Sequence, residues 1–245
     1  MSVIPIHLIE RRMMRNLHFE ISRLSKFFGS LNLTTMVLQL LFLYFFALVG
    51  RFDRSDDSNI LTHSNVILAL ATTGTMCALA IYGTVVACQI LVGNYVGTNK
   101  SQTYLLPVGR KSLFYTKLAA FSLVVASAMI VGLFIADLVF NILEFLFQLM
   151  TEQPTGILDL LTSVFAGTFL TIAIILLSSF IGIKLNGKVK SMIASIVLVI
   201  LFSNLAAITM MASKFITLIV AVVSMVIVIL VGLTMGNGIE NDEVL

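Results

Sequence analysis

Six apolar runs, each about twenty residues or longer, divide the chain and limit its fold more than any other feature. They cover residues 31–50, 65–93, 118–141, 157–183, 192–212 and 215–235. A hydrocarbon core about 30 Å thick is crossed by a helix of about 20 apolar residues, so each run suffices for one crossing. Polar or helix-breaking residues separate them: Asp53, Arg54, Asp56 and Asp57 after the first, Pro107-Val108-Gly109 after the second, Pro154-Thr155-Gly156 after the third. Charged residues make up only 11% of the chain and hydrophobic residues 59%. Soluble domains have about 25% and roughly 45–50%, so there are too few charges here to cover a soluble body. Disorder is excluded by the abundance of apolar surface. The expected fold is all-α, a polytopic membrane protein with six transmembrane helices and an N-terminal amphipathic interfacial helix.

Lysine and arginine are retained in excess by cytoplasmic loops. With the N-terminus inside, the inner segments hold Arg11, Arg12, Arg15, Arg23, Lys26, Lys100, Arg110, Lys111, Lys117, Lys184, Lys188 and Lys190. The outer segments hold only Arg51, Arg54 and Lys214. Twelve against three places both termini in the cytoplasm and the chain in the cell membrane. It also accounts for the pI near 9.0 without a nucleic-acid partner. The first apolar run follows a long basic segment and has no A-x-A site after it, so it is expected to be a retained anchor rather than a cleaved signal. Three regions result: a connecting helix at 1–30, the six-helix domain at 31–235, and a short acidic tail at 236–245 carrying Glu240, Asp242 and Glu243.

Residues 13–31 have the pattern of a surface helix. Met13, Leu17, Ile21, Leu24, Phe28 and Leu31 recur at steps of three or four and share a face, while Arg15, Glu20, Arg23 and Lys26 occupy the rest. A basic amphipathic helix beside a span lies in the interface, its apolar stripe in the acyl boundary and its cations towards anionic headgroups. Such a segment serves either as a simple anchor or as a lever coupled to a soluble partner. Both readings stay open.

The connection between the second and third runs holds the most specific motif. It begins at Asn94 as polar helix and is cut by Pro107, which lacks a backbone donor and disfavours helix at the preceding residue. Gly97, Thr98, Thr103, Leu105, Leu106, Pro107, Val108, Arg110 and Lys117 form a pattern that resembles the membrane subunits of ABC-2 type transporters. Six spans, cytoplasmic termini and the amphipathic entrance extend the resemblance over nearly the whole chain. Asn94 stands roughly where that family often has an acid, and Ala212-Ser213-Lys214 leaves no room for the re-entrant hairpin of many members. The compactness is closest to permeases of the lantibiotic-immunity and antimicrobial-peptide export type.

The resemblance implies a permease subunit of an ATP-driven exporter that moves a hydrophobic or amphipathic substrate, such as an antimicrobial or toxic peptide. Its partners would be two copies of a cytoplasmic ABC ATPase, a second membrane subunit, identical or homologous, and the bilayer. Thr98, Thr103, Leu105, Pro107 and Arg110 would contact the ATPase. ATP and magnesium would be bound by that partner, with no cofactor on this chain.

Little on the chain itself suggests chemistry. Gly182-Ile183-Lys184-Leu185-Asn186-Gly187-Lys188 matches a phosphate loop up to Val189, where Ser or Thr must hold magnesium, and it leaves a helix where a phosphate loop leaves a strand. The expectation is a glycine turn with three lysines. Cys77 and Cys88 fall eleven residues apart on one helix, about 16 Å along its axis, which no disulfide spans. His7, His18 and His63 lack a second His or Cys at i+3 or i+4, and none lies deep in a span beside a serine. Ser178 and Ser179 are expected to pack helices. The chain is not expected to be an enzyme by itself.

Asp137, Asn141, Glu144 and Gln148 fall at i, i+4, i+7 and i+11 and share a face. A helix from Leu118 to Met150 would be about 50 Å long, so its end is expected to project or bend. Intramembrane carboxylates usually face the bundle interior or a wet cavity, which would make the stripe part of a substrate path. The favoured expectation is an outer amphipathic helix with this face in water, with Lys214 pairing Glu144 or Asp137. Asp159 is read as a helix-start residue. Gly167 with Thr171 and Gly232 with Gly236 are small-xxx-small steps that let helices approach closely. Two rivals to the exporter remain: a stand-alone ion-coupled secondary transporter, and a non-transporting scaffold or sensor.

Overall fold

The computed structural model describes residues 6–52, 63–96, 110–147 and 156–240. Those residues are helical with no strand, and six helices are long and apolar enough to cross a membrane. They are α1 (Ile6–Phe52), α2 (Ser64–Ala87, prolonged by a π-helical turn at Cys88–Val92 and a last turn at Gly93–Tyr95), α3 (Arg110–Phe147), α4 (Ile157–Lys184), α5 (Lys188–Ala212) and α6 (Lys214–Glu240). All six expected runs are found, each lengthened at one end or both. The chain is an all-α, membrane-embedded protein.

Contacts fix the helix directions. Asn32 of α1 donates to the Ala128 carbonyl of α3 and Gln39 of α1 to Asp137 of α3, so α1 and α3 run parallel. Thr72 and Thr84 of α2 meet Ser163 and Ser178 of α4, so α2 and α4 run parallel as well. Phe27 of α1 stacks on Tyr82 of α2 at 6.2 Å, which with the Gln39–Thr72 contact makes α1 and α2 antiparallel. The bundle therefore runs up and down. Its basic end gathers the start of α1, the α2 and α3 ends beside residues 97–109, and the α4–α5 turn. Its far end carries the α5–α6 junction.

α4 is the axis. It packs against α2, α3, α5 and α6 and is the most buried of the six. α1 packs chiefly on α3, and α6 lies along α4 rather than along α5. The outward faces are apolar: Leu33, Val37, Leu41 and Phe45 on α1 and Ile193, Val197, Ile200 and Leu201 on α5 are all exposed. An apolar outer face is stable only against lipid or another apolar surface.

Two features differ from expectation. α1 is one helix of 47 residues, about 70 Å long, with no break near residue 30 between amphipathic and spanning parts. Its stripe also does not face the acyl boundary. Leu24 and Leu31 are buried, and with Leu17, Ile21 and Phe28 they join the largest apolar cluster, which contains Tyr95, Phe114 and Leu118. α3 runs as one helix to Phe147, in keeping with the first of the two alternatives expected for its end.

The segment at 182–189 is a helix end. Gly187 N–H donates to the Gly182 carbonyl and Asn186 N–H to the Ile183 carbonyl, with Asn186 at a φ of 53°. That bonding is the Schellman arrangement, whose left-handed residue is a glycine or, as here, an asparagine. Lys190 Nζ caps the Leu185 carbonyl at 2.9 Å. A strand, as a phosphate loop requires, does not precede it.

Candidate functional site

The sequence-named residues divide unevenly. Thr98, Thr103, Leu105 and Pro107 lie outside the described residues, as does Gln148. Arg110 is the first residue of α3 and half-buried. Beside that end of α3, Glu20 and Arg23 of α1 act on the charge of Lys117. The amphipathic start of α1 thus sits against the first turns of α3, the helix that follows residues 97–109 in sequence.

Asp137 and Glu144 point inward. They are 1% and 4% exposed, while Asn141 between them is half-buried. The expectation that this face of α3 meets water therefore fails for both carboxyls. The cause is the repeat on α3: Leu133, Asp137, Phe140 and Glu144 are spaced four, three and four, and all are buried. Such spacing keeps one seam against a neighbouring helix. Glu144 lies near Tyr44 of α1, whose ring meets Phe140 edge-on at 5.4 Å.

Asp137 belongs to a four-helix polar cluster. α1 contributes Gln39, which sits in a buried row of Leu31, Thr35, Gln39 and Leu43, every fourth residue. Gln39 Nε2 donates to Asp137 Oδ1 at 2.7 Å and to Thr72 Oγ1 at 3.3 Å. The other end of the amide, Oε1, accepts from Thr75 Oγ1 at 2.7 Å. Ser163 Oγ of α4 donates to Thr72 Oγ1 at 3.0 Å. Gly167 lets α4 come this close, since a Cβ there would lie 2.7 Å from Thr72 Cγ2. Asp137 Oδ2 is buried and has no hydrogen-bond partner among the described residues.

Ser163 also lines a cavity of about 260 Å³ at the far end, walled by α2, α4, α5 and α6. Asp159 and Lys214 stand in its wall and form an ion pair at 3.0 Å. Lys214 thus pairs with neither Glu144 nor Asp137, because α6 packs along α4 and brings its first residue over the first turn of that helix. Asp159 is in that first turn, as expected.

A second buried cluster joins α2, α4 and α5 nearer the basic end. Thr84 and Ser178 hydroxyls meet at 3.0 Å. Each also lies 2.8 Å from a carbonyl of its own helix, Thr84 from Ala80 and Ser178 from Ile175, so one hydroxyl donates across the seam while the other donates to its own helix. Ser191 of α5 donates to the Ser178 carbonyl at 2.9 Å. Ser179 donates to Ile175 at 2.7 Å. Ser178 links α4 to α2 and α5, the packing role expected of it, whereas Ser179 is buried and bonds its own helix.

No family model, curated protein or solved structure matches this chain. Its function therefore has to be argued from its own residues.

Gln39, Thr72, Thr75 and Ser163 were not among the residues singled out from sequence. One signal existed for Gln39, the single amide in the strongly apolar stretch 36–50. In hydrocarbon such a group requires a partner. Nothing comparable marked the hydroxyls, which commonly bond back to their own helix.

Proposed function

We propose that this chain is the membrane-spanning subunit of an ABC-2 type exporter, with its basic end in the cytoplasm and ATP hydrolysed by a separate subunit. The substrate would be hydrophobic or amphipathic, such as an antimicrobial peptide. One observation supports the reading beyond the sequence motif. The amphipathic start of α1 is packed with Tyr95 and Phe114, residues of the two helix ends that flank the 97–109 connection. A force applied at that connection would reach α1 and α3 together, and through them the bundle. Rigid packed elements transmit such displacements as discrete rearrangements rather than gradual bending.

Purification from native membranes in mild detergent, with mass spectrometry of the bound chains, tests this directly. The expected result is a stoichiometric soluble chain bearing a phosphate loop. Recovery of this chain alone or as a homo-oligomer, in several detergents, overturns the proposal. Leu105→Asp is expected to abolish transport while the protein remains inserted, and undiminished transport in that variant overturns the coupling role of the connection.

A further inference from the structure

We propose that Asp137 is a proton-binding site inside the bundle, carrying a proton at rest and exchanging it along the row of hydroxyl contacts between α2 and α4. The proposal is independent of the ATPase partner.

Three observations support it. An ionised carboxylate offers about four acceptor sites, yet among the described residues Asp137 receives one hydrogen bond, from a neutral amide, and its second oxygen is buried without a partner. An uncompensated buried charge costs far more than a neutral acid, and no described residue on the facing helices supplies compensation. The facing stretches 32–43 of α1 and 160–175 of α4 contain no ionisable side chain. Stretch 67–79 of α2 contains only Cys77, which packs with Met76 and Ala80 in a different apolar cluster. On α3 itself Glu144 stands seven residues on, with Tyr44 beside it, and neither provides a positive charge. Across α4, Lys214 is engaged by Asp159.

The arrangement suits a proton better than a metal cation. A hard cation needs converging oxygens, but Gln39 turns its NH2 end to the carboxyl and its oxygen to Thr75. Access comes from Ser163, which lines the far-end cavity and also bonds Thr72, itself bonded to Gln39. A continuous polar row thus leads from the cavity to Asp137. In the exchange, the Oδ2–H bond breaks and its proton passes to a water entering from the cavity, leaving the carboxylate. The reverse step reloads it.

Infrared difference spectroscopy on the full chain in lipid nanodiscs tests the site. At neutral pH the wild type is expected to show a carboxylic-acid C=O band that is lost in Asp137→Asn and retained in Glu144→Gln. Raising the pH should bleach this band as a carboxylate band grows. Ser163→Ala should leave the band in place and slow its hydrogen–deuterium shift. Should Asp137→Asn fail to fold, carbon-13 labelling of aspartate carboxyls in the wild type takes its place, with one aspartate expected to remain protonated at neutral pH. A band identical in wild type and Asp137→Asn, or no protonated aspartate in the labelled protein, overturns the proposal. Loss of the band on adding sodium at constant pH also overturns it, in favour of a metal-cation site.

Discussion

The bundle contains two buried polar clusters on the same α2–α4 seam, and they are built on opposite terms. At the basic end, Thr84, Ser178 and Ser191 are neutral, and each hydroxyl is satisfied by another hydroxyl or a backbone carbonyl. Towards the far end, the cluster around Gln39 includes a carboxyl with an unpaired oxygen. In an apolar medium a satisfied hydroxyl is packing material, whereas an ionisable group left short of partners is costly and usually has a use. Proximity within one seam therefore does not imply a shared role. The first cluster fixes helices, and the second holds a group able to change its charge.

The largest effect should come from crowding the closed cluster. A Cβ at Gly182 would lie 2.5 Å from Ser191 Cβ and 3.3 Å from Ser191 Cα. The obstruction is at the backbone of α5, so no rotamer change removes it. Gly182→Val is expected to cost about 3 kcal/mol, the upper part of the overpacking range, read as a lowered Tm in detergent. An unchanged Tm would show that the α4–α5 hairpin is loose.

Next is Gln39→Leu, which attacks the open cluster. It removes the one donor to Asp137 and the acceptor of Thr75. Leaving buried polar groups without partners costs about 1–3 kcal/mol, so a loss near 2 kcal/mol is expected. The double variant Gln39→Leu with Asp137→Leu should recover part of that loss, because the stranded carboxyl is then gone. Purely additive losses would show that the two side chains do not act as a unit.

The comparison also marks what the sequence could and could not reveal. Run lengths and breaks located all six helices, because hydropathy and length are local properties. Continuity of α1 was not local. Nothing near Gly29 forces a break, and a Cβ there would meet nothing within 4 Å, so the buried row passes from Leu24 to Leu31 and on to Gln39. Periodicity put Asp137 and Glu144 on one face but could not say whether that face met water or α1. That depended on the parallel pairing of α1 with α3. Similarly, the partner of Lys214 was decided by α6 crossing to α4, which no spacing encodes.

Ser178→Ala tests the closed cluster more gently. The Thr84 hydroxyl keeps its bond to Ala80, so only the link between helices is lost. Hydrogen bonds between membrane helices average about 0.6 kcal/mol, and a destabilisation of that order is expected. A loss several times larger would mean that the serines carry more than packing.

The smallest effect belongs to Lys214→Ala. Its ion pair with Asp159 is short, but the Lys214 end is 59% exposed, and a pair whose cation is screened by solvent in this way is worth about 0–1 kcal/mol. Stability should fall by no more than about 0.5 kcal/mol, and less at high salt, where exposed charges are screened. The informative reading lies elsewhere. Removing Lys214 leaves Asp159 unpaired in the wall of the cavity that Ser163 shares, so the mouth of the proposed proton route becomes negative. The infrared band of Asp137 should then persist to higher pH than in wild type, because a neighbouring negative charge opposes loss of the proton. An unshifted band would mean that this cavity is not the entrance used by Asp137, and would separate the far-end pocket from the buried carboxyl.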